Sequence, residues 1–345
     1  MTGKVVDLRA DTFCRPTPGM REAMSQAGLG DDLFGENPTV NDLQDRAASL
    51  FDKEAALFVA SGTMANQIAI KVYTQPGEEV ICDARSHPIH SELAAAGMIS
   101  GIQFRLLNGD RGIFSREDAE DAIRPDSPLF PRTALLWLEN THNQGGGQIF
   151  PLEKVEEFQA LSLERRIPLH IDGARIFNAV VSSGVPPLEW GKRCDSLSFC
   201  LSKGLGCPMG SLLIGPKDFI ARAARIRKML GGGWRQAGTL AAAGIYALSH
   251  HIERLAEDHA NAQTLAEHAA GVSGVRSTYE TTPTNIVFLD VTESGRTGEE
   301  VTSRLRERGV SLFSVGKFSL RAVTHMDISR EGVEQTIQAL AEAVR

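Results

Sequence analysis

The sequence predicts an α/β fold: a large, mostly parallel sheet covered by helices, followed by a smaller α+β part. Three observations point there. From about residue 55, short apolar runs alternate with longer helix-like stretches. Polar residues stand where several of these runs stop. Near residue 241 the texture changes, and strands begin to mix with helices. A chain of 345 residues is long enough to build both parts around a sizeable core.

Taken in order, the apolar runs at 55–60, 79–82, 134–138, 167–171, 196–201 and 211–214 read as strands. Helical patterns at 64–73, 152–165 and 217–229 lie between them. Gln75-Pro76-Gly77 stops the first of these helices. A long helix is expected over about 241–270, ending at Gly271. Then follow a strand at 286–291, a helix at 298–308, two short strands at 310–313 and 319–324, and a final helix. That helix carries Val333, Ile337, Leu340 and Val344 as a stripe on one face. No Pro/Gly/Ser linker separates the parts. The expected division is residues 1–240, N-terminal arm included, and residues 241–345.

Composition excludes several classes. A net charge of −7 argues against a nucleic-acid scaffold or an anionic-membrane binder. No apolar run reaches the 18 or so residues a membrane span needs. The first residues, MTGKVVDLRADT, are too charged for a signal peptide. Five cysteines without a CxxC read as reduced thiols, hence a cytoplasmic protein. No metal site is read. Thirty-three glycines are a surplus whose positions matter below.

Four segments carry candidate chemistry, because ligands of open α/β sheets bind at the carboxyl ends of strands. Ser61-Gly62-Thr63 opens a helix after a strand, where free backbone N–H groups and hydroxyls suit a phosphate; the same turn could serve only as a cap. Asp172, in His170-Ile-Asp-Gly-Ala-Arg175, ends another strand. Lys203 follows a third, with Gly204 and Gly206 beside it. A lysine amine able to form Schiff bases and a carboxylate facing one crevice are what pyridoxal phosphate needs. The fourth segment, Arg227-Lys-Met-Leu-Gly-Gly-Gly-Trp-Arg-Gln-Ala-Gly238, reads as backbone passing close to something, or as a flexible loop. No GxGxxG follows an early strand, which sets a dinucleotide enzyme aside.

These segments resemble the low-specificity L-threonine aldolases, pyridoxal-phosphate enzymes of the aspartate-aminotransferase-like fold type I. The resemblance runs over nearly the whole chain. It is carried by Asp7-Leu-Arg-Ala-Asp-Thr-Phe-Cys-Arg-Pro-Thr17, Gly30-Asp-Asp-Leu-Phe-Gly-Glu-Asn-Pro-Thr-Val40, Ser61-Gly-Thr-Met-Ala-Asn66, Leu138-Glu-Asn-Thr-His-Asn143, His170-Ile-Asp-Gly-Ala-Arg175, Leu201-Ser-Lys-Gly-Leu-Gly206 and Gly231-Gly-Gly-Trp-Arg-Gln-Ala-Gly238. It implies retro-aldol cleavage of β-hydroxy-α-amino acids, with Lys203 as the Schiff-base lysine and Asp172 as partner of the ring nitrogen. It implies His87 stacked on the ring, and Gly62 and Thr63 on the phosphate. Arg175 and Arg321 would hold the substrate carboxylate, with Arg175 also among the cofactor-binding residues. His142 would lie near the substrate hydroxyl; the base could be His87, His142 or a water held by both. Lys228 and Arg235 would reach the phosphate of a neighbouring subunit in a dimer of dimers. The same scaffold could also run racemisation or β-elimination.

The chain departs from the family pattern at several positions. Ala10 replaces a usual serine at the substrate carboxylate, and Phe34 a usual tyrosine. Asn37 replaces an aspartate and Trp234 a methionine, and Gln144-Gly-Gly-Gly147 adds glycine after His142. His170 reads as a core residue, and Cys200 and Cys207 as small core side chains.

Overall fold

The computed structural model describes residues 5–345. The first four residues, part of the stretch read above against a signal peptide, lie outside it. The strands are β1 (Val6–Asp7), β2 (Ala55–Val59), β3 (Glu79–Asp83), β4 (Gln103–Leu107), β5 (Thr133–Glu139), β6 (Leu169–Asp172), β7 (Ser196–Cys200), β8 (Ser211–Gly215), β9 (Arg276–Ser277), β10 (Ile286–Asp290), β11 (Val310–Ser311), β12 (Phe313–Ser314) and β13 (Ser319–Val323).

Seven of them form one sheet in the order β2-β8-β7-β6-β5-β3-β4. Only β8 runs against the rest. The apolar runs feeding it are continuous because both faces are covered. Neighbouring residues turn to opposite sides: Phe58, Ile81 and Leu136 enter one apolar cluster, and Leu57, Val80 and Leu135 the other. With six strands parallel, the carboxyl ends of β2, β3, β5, β6 and β7 share one edge. The residues after them are Ser61, His87, His142, Gly173 and Lys203 or their near neighbours.

A four-stranded antiparallel sheet, β12-β13-β10-β9, forms a second layer with its own apolar cluster. Val6 and Leu8 belong to that cluster, since β1 pairs in parallel with β11. The start of the chain is therefore stitched to its end, close to the strand-edge residues that follow at Ala10 and Asp11.

Two sequence expectations change. The helix expected over 241–270 is two helices, Gly238–His250 and Leu255–Ala269. No Gly or Pro marks the break; a tertiary contact makes it, the buried His251 ring binding the Leu205 carbonyl at 2.8 Å. The strand expected over 310–313 divides at buried Leu312, because β11 pairs with β1 while β12 turns to β13. Strand β4 carried no clear signal. It lies at the sheet edge with Gln103 and Leu106 exposed, so its apolar pattern is weak.

Candidate active site

Lys203 sits in the turn after β7. Its carbonyl accepts from Gly206 N at 2.8 Å and from the Cys14 thiol at 3.0 Å. Its amine has no hydrogen-bond or ion-pair partner among the described residues. Asp172 ends β6, and both its oxygens accept: Oδ2 from Asn66 Nδ2 at 2.8 Å, Oδ1 from Ala174 N at 3.1 Å. Acceptor-only bonding suits the carboxylate.

Gly62 and Thr63 open the helix Gly62–Tyr73, where Ser61 caps through Met64 N. The first N–H groups of a helix have no partner inside it. A Cβ on Gly62 would lie 2.8 Å from Cys200 Sγ, so this helix start abuts the end of β7 just before Lys203. The glycine is needed for that approach.

His87 follows β3 and is partly exposed. Its Nδ1 meets Glu92 Oε1 at 2.7 Å, and its backbone N–H donates to Glu139 Oε2 at 2.7 Å. Nε2 makes no hydrogen bond among the described residues. Burial pulls its pKa down, but Glu92 and Asp172 outweigh burial and nearby Lys203 and hold it above the ordinary value. The same structure therefore gathers Lys203, Asp172, His87, Gly62 and Thr63 at one edge.

His142 is fully buried. Its Nδ1 accepts from Gly145 N at 3.0 Å, which leaves the proton on Nε2, 3.3 Å from Asp83 Oδ1. Burial opposes its charged form, but Glu139 and Asp83 raise its pKa. The glycines after it have a steric reason. A Cβ on Gly145 would strike the Arg111 carbonyl at 2.0 Å. Gly146 has φ +73° and Gly147 φ +69°, against Tyr279 and Thr284 respectively.

Arg175 is held by Asp11, with Nε to Oδ2 at 2.6 Å and Nη2 to Oδ1 at 2.8 Å. Its Nη1 reaches Asn143 Oδ1 at 3.2 Å. Burial would raise the Asp11 carboxyl, but Arg175 brings it down to about 2. Arg321, on β13, is half-buried. Its Nη2 donates to the Arg9 carbonyl at 3.3 Å, while its Nε is buried without a partner. Burial and the charge of Arg175 push its pKa down to about 10. Ala10 is buried between Arg9 and Asp11, the two residues that touch these arginines.

Lys228 and Arg235 are exposed and bond to no strand-end group among the described residues. Arg235 pairs with Asp31 at 3.0 Å and lies over exposed Phe34. Lys228 lines the glycine loop, where a Cβ on Gly233 would meet its Cδ at 2.6 Å. Trp234 stacks edge-on against Phe58, and buried Arg227 ties the loop to Asp32 at 2.9 Å. Asn37 caps Val40 N and also donates to the Gly30 carbonyl at 2.8 Å, which an aspartate could not do.

Several polar residues of this site were not singled out by sequence: Glu92, Asn66, Glu139, Asp83 and Asp11. Glu92 had a faint signal, five residues after His87 in the same short segment; Asn66, Glu139 and Asp11 lie inside segments that carry the family resemblance but had no role of their own, and Asp83 lies in none. His170 is a core residue, stacked on Trp137 and bonded to Ser196 at 2.8 Å, with burial lowering its pKa to about 4. A histidine with a depressed native pKa loses stability as pH falls from its unfolded value toward the folded one. Between pH 6.5 and 4 the protein is expected to lose about 3 kcal/mol through His170. Urea unfolding against pH reads this, and His170→Gln should flatten the slope.

Comparison with known proteins gives one direction. Residues 7–292 match the model of the β-eliminating lyase family. The low-specificity L-threonine aldolase of Escherichia coli K12 is 45% identical over 332 residues, covering 95% of this chain and 96% of that one. The low-specificity L-threonine aldolase 1 of Arabidopsis thaliana is 39% identical over 349 residues, covering 100% and 98%. The solved threonine aldolase of Leishmania major superposes with a TM-score of 0.82 at 18% identity, covering 99% of this chain and all of that one, a likeness of fold.

Proposed function

The chain belongs to the family of low-specificity L-threonine aldolases, within the broader β-eliminating lyase family, and from that premise we propose that it cleaves L-threonine and L-allo-threonine to glycine and acetaldehyde, using pyridoxal 5′-phosphate. Other β-hydroxy-α-amino acids would react the same way. The fold is the aspartate-aminotransferase-like fold type I.

The residues present fit the cofactor. The unpartnered Lys203 amine suits its aldehyde, and the acceptor-only Asp172 suits its ring nitrogen. The open N–H groups of Gly62 and Thr63 suit its phosphate, at a helix start too close to Cys200 for a side chain. The partly exposed face of His87 completes the set. When bound, the cofactor supplies an electron-accepting ring that takes up the pair released as the Cα–Cβ bond breaks.

The chain's own residues do the rest. Arg321, whose buried Nε lacks a partner, binds the substrate carboxylate. Arg175, already fixed by Asp11, adds a second cation near it. We assign the β-hydroxyl proton to His87 Nε2, the imidazole nitrogen free to take it. His142, buried with Nδ1 bonded to Gly145 N and Nε2 beside Asp83, positions the Glu139–Asn143 turn that holds His87 and Arg175. Lys228 and Arg235 are assigned to the phosphate of a neighbouring subunit, in a homo-oligomer built as a dimer of dimers. Residues 1–240 then form the cofactor-binding part, and 241–345 the smaller part carrying Arg321. The five free, buried cysteines support a cytoplasmic setting, and no described helix is long and apolar enough to cross a membrane.

The observation carrying this reading is the convergence of Lys203, Asp172, His87 and the helix start at Gly62 on one sheet edge, in a chain of this family. The test is product analysis on the protein loaded with pyridoxal phosphate. Glycine plus acetaldehyde from L-threonine and L-allo-threonine is expected. A D-amino acid would make it a racemase; ammonia plus a keto acid would make it a β-eliminating lyase.

A further inference from the structure

We propose that Glu92 is a positioning residue that fixes which nitrogen of His87 is free and, through Asn66, ties His87 to Asp172 in one hydrogen-bonded chain. The inference rests on the reading of His87 and Asp172 given above.

The Glu92 carboxylate is wholly buried and meets three donors. Oε1 meets His87 Nδ1 at 2.7 Å and Asn66 Nδ2 at 2.8 Å; Oε2 accepts from Gln67 Nε2 at 2.7 Å. Asn66 Nδ2 has two hydrogens, and it divides them between Glu92 and Asp172. Its own oxygen faces the Ser198 hydroxyl at 3.4 Å, so the amide orientation is fixed from both ends. A carboxylate facing Nδ1 requires the proton there, which leaves the lone pair on Nε2.

The backbone at this point is arranged for the glutamate. Leu93 and Ala94 both adopt left-handed conformations, with φ of 53° and 58°, two successive strained residues without glycine. Leu93 is 98% exposed, while the adjoining Glu92 is 3% exposed. Burial energetics favour the reverse. The segment turns its one leucine outward and a carboxylate inward under His87.

The charged groups facing His87 from the elements around it are Glu92, Asp172, Lys203 and, at its backbone N–H, Glu139. Glu92 alone among them touches the ring. Glu92→Gln therefore removes one charge and leaves one accepting oxygen where the carboxylate had two, so its NH2 must face either Gln67 Nε2 or the pair His87 Nδ1 and Asn66 Nδ2. With the NH2 toward Gln67, whose Oε1 lacks a partner, His87 keeps its Nδ1 proton but loses the charge that holds it; with the NH2 toward Nδ1, the proton moves to Nε2 and the free lone pair is lost.

The test uses the rate of diethyl pyrocarbonate acylation of His87 against pH, resolved by peptide mass spectrometry on the cofactor-free protein. The Glu92→Gln variant is expected to shift the His87 profile down by at least about one unit. In the loaded enzyme its kcat should fall on the order of 10²-fold with little change in KM. Glu92→Asp keeps the charge and should restore most of the His87 profile, while a merely structural defect would leave both variants alike. An unshifted His87 profile in Glu92→Gln overturns the proposal, as does equal behaviour of the Gln and Asp variants. Because the acylation readout needs no turnover, the wild type's failure to cleave threonine would sink the aldolase reading and leave this result standing.

Discussion

Replacing Lys203 by alanine is expected to lower turnover of L-threonine by on the order of 10³-fold or more while leaving the melting temperature unchanged. The separation of the two effects follows from how the turn is held. What fixes it is main chain: the Lys203 carbonyl accepts from Gly206 N at 2.8 Å and from the Cys14 thiol at 3.0 Å. The amine contributes to neither bond, nor to any ion pair among the described residues. Alanine keeps the carbonyl and removes only the nucleophile. The proposed partners of pyridoxal phosphate at Asp172 and the Gly62 helix start are untouched, so the variant should bind it without a covalent bond. Borohydride treatment followed by peptide mapping checks this directly. The wild type should carry a fixed label on the Lys203 peptide, and the variant none. Full aldolase activity in the variant would remove Lys203 from the mechanism.

How much of this was legible in the sequence depends on the range of the interaction involved. The strand runs were readable because a sheet covered on both faces demands continuous apolar residues, as at Thr133–Glu139. Lys203 and Asp172 were readable because they stand just after or at the end of such runs. The break between Gly238–His250 and Leu255–Ala269 was not, since His251 makes it by binding a carbonyl 46 residues away. Glu92 and Asn66 were not, since each looks like an ordinary polar residue until the fold brings Asn66 to Asp172, 106 positions on. Arg175 shows the same limit within a recognised motif. Its sequence neighbours say nothing of Asp11, 164 positions earlier, which takes two of its hydrogen bonds. The glycines divide similarly: Gly62 and Gly145 are fixed by close neighbours far along the chain or across a loop, whereas Gly231, at φ +83°, has only open space and answers to its own backbone.

The two arginines proposed for the substrate carboxylate differ in how far each is already paired. Arg175 is already neutralised by Asp11, an ion pair sealed from solvent on both sides. Arg321 has a carbonyl for one nitrogen, nothing for its buried Nε, and the like charge of Arg175 nearby; burial and that charge lower its pKa to about 10. An incompletely paired guanidinium is a liability in the free protein and an asset once a carboxylate arrives. Arg321→Leu is therefore expected to reduce kcat/KM for L-threonine by about 10²- to 10³-fold, the equivalent of roughly 3–4 kcal/mol for a lost charge-assisted fork. The loss should appear mainly as a higher KM, because the carboxylate is held alike before and during bond breaking. The same substitution should leave the melting temperature of the free protein unchanged or raised, since it removes a cation that Arg175 repels. Arg321→Lys keeps the charge without the planar pair of donors and should fall between the two. An unaltered KM in Arg321→Leu would assign the carboxylate to Arg175 alone, which would then have to give up Asp11. A marked drop in melting temperature would mean that Arg321 serves the fold before it serves the substrate.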